Sequence, residues 1–116
     1  MRLTLALILS LIAGAAQADV LFGDAAGCHF AAGNPPSTDA PFVLYPDRIE
    51  RMETTCMIEG IIPEGDGQVR LTGMCSGEGE TWANEHILDV SSSDGTYRIW
   101  QAEFPDYVST LRQCGK

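Results

Sequence analysis

Beyond Pro41 the chain alternates between apolar and polar positions. Met52, Thr54, Cys56, Ile58 and Ile62 occupy even positions, with Arg51, Glu53, Thr55 and Glu59 between them. A period of two marks a strand whose two faces meet different surroundings. Residues 49–54 could instead form a helical turn, since Arg48, Glu50, Arg51 and Glu53 are helix-compatible, but the alternation continues through Cys56 and Ile58 and favours strand. A shorter strand over residues 42–45 stands between two prolines, and further short apolar runs end at turns rich in Gly, Asp and Pro. The pattern predicts an all-β domain: a small antiparallel meander of five or six strands that buries its apolar face by curling into a barrel or a two-layer sheet.

Two turns set the expected register. In Pro63-Glu64-Gly65-Asp66-Gly67, a type II′ turn centred on Gly65-Asp66 places glycine where φ must be positive. Ile62 then faces Val69, Ile58 faces Gly73, and Cys56 faces Cys75. Centring a type I′ turn on Asp66-Gly67 instead keeps the same faces but puts Cys56 opposite Gly77. A cross-strand disulfide on the apolar side, continued by Val69 and Leu71, favours the first choice. After the loop Ser76-Gly77-Glu78-Gly79-Glu80, Asp94-Gly95 is a type I′ signal that sets Val90 against Ile99 and Ser92 against Tyr97. Trp82, Leu88, Val90, Tyr97 and Ile99 are expected to share the inner face. Phe104-Pro105-Asp106 turns the chain into a last strand over residues 107–114.

The amino-terminal residues follow different rules. Arg2 precedes an apolar run and then Ala16-Gln17-Ala18, the pattern of a secretory signal peptide over residues 1–18 cleaved after Ala18. The run is shorter than the roughly 18 to 20 residues needed to span a bilayer, so no stable membrane anchor is expected. Residues 19–41, rich in Ala, Gly and Pro, show neither periodicity and read as an irregular arm, leaving residues 42–116 as the disulfide-stabilised β domain. An even set of four cysteines in a short exported chain implies two disulfides and a periplasmic or secreted location. Their separations of 28, 19 and 39 residues contain no chelating loop. Pairing Cys56 with Cys75 leaves Cys28 for Cys114, though three connectivities exist. Loop entropy assigns about 3 kcal/mol to the inner bridge and somewhat over 4 to the outer.

Charge narrows the function classes. The chain of 116 residues carries 16 acids and 7 bases, a formal charge of −9. Cleavage after Ala18 removes one Arg and no acid, moving it to −10. Phosphate recognition needs clustered Lys and Arg, so neither nucleic acid nor an anionic membrane surface is an expected partner. A steep negative field instead suits a protein partner, especially a basic one.

Chemistry-bearing groups are sparse. No G-x-S-x-G elbow is present, bridged cysteines offer no thiolate, and the adjacency of Cys28 and His29 does not make a dyad. Glu78 and Glu80 flank Gly79 in a flexible loop that holds carboxylates poorly for acid–base work. Met57 opposite Met74, near Met52, offers thioethers to a soft metal, but His29 and His86 are remote in sequence. No catalytic residue, metal ligand or cofactor is assigned. His86 shares parity with Trp82 and Leu88 and points inward. Trp100 and Arg98 lie on the outer face, where an aromatic side chain is a binding anchor; with Glu78 and Glu80 they form the expected binding residues.

The run Cys75-Ser76-Gly77-Glu78-Gly79 resembles the Ser-Gly-containing inhibitory loop of small periplasmic lysozyme inhibitors, which are comparable in size, leader and sheet content. That resemblance implies inhibition of a basic, wall-degrading enzyme. The aromatic and Lys-Gly elements expected later in that family are missing, so no site residues carry over. The leading expectation is an exported, non-enzymatic acidic interaction module, including an inhibitor of a basic envelope-acting enzyme. Two alternatives stand beside it: a small-ligand carrier or small enzyme with a site at the barrel mouth using His86, Glu78 and Glu80, and a structural subunit of an envelope assembly. A deep pocket reached by His86 would favour the carrier; a flat acidic face with Trp100 exposed would favour partner binding.

Overall fold

A computed structural model of the chain describes residues 21–35 and 41–115. The signal-peptide reading of residues 1–18 lies outside them. Eight antiparallel strands close into a barrel in which each pairs with its neighbours in chain order and the first pairs with the last. They are β1 (Phe22–Gly23), β2 (Phe42–Leu44), β3 (Arg48–Arg51), β4 (Thr54–Gly65), β5 (Gln68–Gly77), β6 (Glu80–Asp89), β7 (Tyr97–Gln101) and β8 (Ser109–Gln113). Closure removes the unpaired sheet edges that an open meander of this size would expose.

The strand count exceeds the expected five or six for two reasons. First, the alternation around residue 52 hides a turn: Glu53 takes a positive φ of 66°, and Arg51 pairs directly with Thr54. What reads as one strand is therefore two. Ile49 and Cys56 are partners, so the inward positions are odd in β3 and even in β4, and Arg51 belongs to the inner face rather than the outer one. Second, the stretch over residues 19–41 is not irregular throughout. Phe22–Gly23 pairs with both β2 and β8, and a helix α1 (Ala25–Ala31) follows. The β domain thus begins before residue 42. Asp24 caps the helix, its carboxylate accepting from the Gly27 N–H at 2.6 Å and from the Phe42 N–H at 3.2 Å. A Cβ on Gly27 would stand 2.1 Å from the Phe42 carbonyl oxygen, so only glycine lets the helix lie this close to β2.

Both disulfides form as expected, Cys28 with Cys114 and Cys56 with Cys75. The hairpin carrying the inner one combines the two registers weighed from the sequence. Near the barrel, Cys56 faces Cys75, Met57 faces Met74 and Ile58 faces Gly73, whereas Gly65 faces Gln68 at the tip. The central pair is therefore Asp66-Gly67, with φ of 56° and 77°, the geometry of a type I′ turn. Register shifts between Ile58 and Gly60 and between Pro63 and Gly65 reconcile the ends. Ile62 consequently faces Arg70 rather than Val69.

The β6–β7 connection is longer than a two-residue turn. Leu88, not Val90, faces Ile99, because Asp94 organises a wider loop by accepting from the Thr96 N–H and from the Ser92 and Thr96 hydroxyls. The slip is two residues, so side-chain parity survives. Leu88 and Ile99 are buried with Leu44, Ile49, Leu71 and Leu111 in one core, and Tyr97 stacks on Phe22 with ring centroids 4.1 Å apart. Val90 and Trp82 do not join it: Val90 has left the strand and Trp82 lies beyond the core, both more than a third exposed.

Candidate functional site at the barrel mouth

Antiparallel pairing brings the start of β2 (Phe42), the end of β3 (Arg51), the end of β7 (Gln101) and the start of β8 (Ser109) to one end of the barrel. The floor there is His86, 4% exposed, which pairs with Gln101 across β6 and β7. Above it opens a cavity of about 610 Å³ whose walls include Phe42, Ile99 and Trp100, with Phe104, Tyr107 and Val108 as the lip. A smaller cavity of about 240 Å³, bordered by Trp82 and Asn84, shares Arg51, His86 and Gln101 with it. The larger volume falls within the range of small-ligand sites, which are mostly apolar with a few converging polar groups.

The polar groups are held in place. Phe42 meets the His86 ring edge-on, with centroids 6.4 Å apart and planes at 86°. The Arg51 guanidinium lies over the opposite partner of that contact, 5.0 Å from the Phe42 ring centroid. Asn84 donates to the Gln101 side-chain oxygen at 3.1 Å. The lip is tied down by backbone bonds from Ala102 to Glu85, from Phe104 to Gln101 and from Tyr107 to Phe104. Burial, reinforced by the positive charge of Arg51, pushes the His86 imidazole down to about 4 from its ordinary 6.5. The floor is therefore a neutral ring near neutral pH. Among the described residues Arg51 and Arg112 form no ion pair, whereas Arg48, Arg70 and Arg98 each do.

The four expected binding residues do not form one patch. Trp100 lies on the outer parity of β7 but is only partly exposed and lines the large cavity. Arg98, on the same strand, is spent on the buried Asp89 at 3.1 Å. That carboxylate is held down to about 2, chiefly by the hydroxyl and backbone N–H of Ser91, with Gln68 and Arg98 adding to it. Glu78 and Glu80 lie at the β5–β6 tip and line neither cavity. Six strand steps along β6 carry the chain from Glu80 to His86, about 20 Å. His86 reaches a cavity as its parity implies, but its companions there are Arg51, Gln101 and the β7–β8 lip. Arg51 was missed because its place at the inward end of β3, opposite Phe42, shows only once the turn at Glu53 is known.

The two disulfides fit an oxidising, extracellular-type environment, and no helix among the described residues is long and apolar enough to cross a membrane. Comparison with protein-family models, curated proteins and solved structures finds no match.

Proposed function

We propose that this is an exported, non-catalytic binding protein that holds a small molecule in the mouth of its barrel. The observation that carries this reading is the cavity of about 610 Å³, floored by His86 and walled by aromatic side chains. That His86 reaches this cavity supports the carrier reading over a flat acidic docking face. Burial and edge-on packing against Phe42 fit His86 to shape and neutral hydrogen bonding rather than to proton transfer. Export through a signal peptide over residues 1–18, to the periplasm or beyond the cell, belongs to the same proposal and agrees with the two bridges.

Nitrogen–proton correlation spectra recorded during titration with small aromatic and aliphatic fragments test the site. Shifts centred on Arg51, His86, Trp100 and Gln101 are expected. Shifts confined to the β5–β6 tip, or none at millimolar fragment, refute it.

A second reading, docking of a partner protein, is favoured by one observation: Phe104, Tyr107 and Val108 form an exposed apolar lip, with Tyr107 77% exposed. The acidic surface would steer a basic partner toward it. Affinity capture from an envelope fraction at low and high salt tests this, and retention of nothing at low salt removes the electrostatic version.

A further inference from the structure

The composition of the mouth specifies a class of ligand. In a chain with 16 acids and 7 bases, a cation at a cavity wall without an acidic partner runs against the surplus. Arg48 is bracketed by Asp47 and Glu50, Arg70 by Glu64 and Glu85, and Arg98 is bound to Asp89. Among the described residues neither Arg51 nor Arg112 forms such a pair; Arg112 lines neither cavity, whereas the Arg51 guanidinium lies over the Phe42 ring, which orients the planar fork without using its N–H donors. Arg51 stands where the two cavities meet, together with His86 and Gln101. Aromatic and aliphatic side chains, with Ser109, make up the rest of the larger cavity, whose acid, Asp106, belongs to the exposed lip and borders the larger cavity alone.

Resting on the mouth as the binding site, we infer that the ligand is an amphipathic anion: a carboxylate on an aromatic or short aliphatic body. The carboxylate accepts from Arg51 at the junction of the cavities, where Gln101 supplies a neutral amide, and the body lies between Phe42, Trp100 and Phe104. A planar fork matches a carboxylate with two parallel hydrogen bonds, and a flat body matches aromatic walls. The neutral His86 floor neither repels an apolar group nor supplies a competing anion.

The test uses a matched pair of probes, 1-naphthaleneacetate and its neutral amide, titrated into the full mature protein by calorimetry. The proposal expects the carboxylate to bind about tenfold tighter or more than the amide, the usual scale for one charge-assisted hydrogen bond. Arg51→Gln should abolish that preference, Arg51→Lys should restore part of it, and Arg48→Gln, altering a cation paired elsewhere, should leave it intact. Equal binding of both probes by the wild type overturns the anion assignment while leaving the mouth as a binding site. Binding of neither at millimolar concentration overturns both. Should Arg51→Gln fail to fold, the wild-type preference and its weakening with added salt still decide.

Discussion

Acidification from pH 6.5 toward 4 should withdraw stability from this barrel chiefly through one side chain. His86 is 4% exposed and its imidazole titrates at about 4, against 6.5 for an unburied ring. Within that interval the unfolded chain binds the proton and the folded chain does not. Stability is therefore complete above the unfolded value and is lost as pH falls toward the folded one. At 1.36 kcal/mol per unit, the shift corresponds to about 3 kcal/mol, lost at about 1.4 kcal/mol per pH unit in the middle of the window. Urea unfolding across this range, on the wild type and on His86→Phe and His86→Gln, measures the effect as a difference. Subtraction removes titrations common to all three proteins. The wild-type curve should fall relative to both variants and then run parallel to them below about 4. If the three curves are parallel throughout, the ring is hydrated and the closed floor described above is wrong.

A second acid limb should follow at lower pH. Asp89 and Asp94 both titrate at about 2 instead of 3.8, so the stability they supply is present above 3.8 and is lost as pH falls through 2; Asp94→Asn should shrink this limb without altering the one above it. Removing the inner bridge with Cys56→Ala and Cys75→Ala should cost about 3 kcal/mol in chemical denaturation, and removing Cys28–Cys114 somewhat over 4, because the latter closes the longer loop. Asp24→Ala should cost about 1 to 2 kcal/mol in the same assay, since that carboxylate both caps α1 and receives the Phe42 N–H. Gly73→Ala, whose new Cβ would stand 1.9 Å from the Met57 carbonyl oxygen, should force the β4–β5 ladder apart and lower the melting temperature more than Gly79→Ala, where the side chain meets open space but a positive φ.

Strand chemistry was legible from sequence wherever faces repeat over several residues. Cys56 opposite Cys75 follows from alternation plus a turn, even though the turn itself sits one residue further on, because two bulges absorb the difference. His86 was placed inward for the same reason. Parity arguments failed where a turn is short enough to mimic a continuous strand: the Met52-Glu53 reversal inverts the parity of Arg51 and concealed it as a site residue. Asp94-Gly95 misled in another way, since the Asp94 carboxylate gathers Ser92 and Thr96 into a loop that an ordinary hairpin would not need. Neither β1, with two residues, nor α1, with seven, is long enough to show a period. The mouth could not be read before closure, because Phe42 and Arg51, already paired across β2 and β3, face His86 and Ser109 only when the sheet curls into a barrel.

That joining makes the barrel a zipper with one seam. Every other pairing links strands consecutive in the chain, so hairpins can form in sequence at low contact order and small loop entropy. The β1–β8 contact alone must bring distant ends together, and it rests on two residue pairs, Phe22 with Gln113 and Gly23 with Arg112. The Cys28–Cys114 bond lies beside it as a clasp. In a reducing compartment the same polypeptide would lose the clasp, and with it somewhat over about 4 kcal/mol of support for the seam between the wall carrying Phe42 and the one carrying Ser109. Oxidation thus bears on more than durability: it supports the one seam on which the shape of the mouth depends.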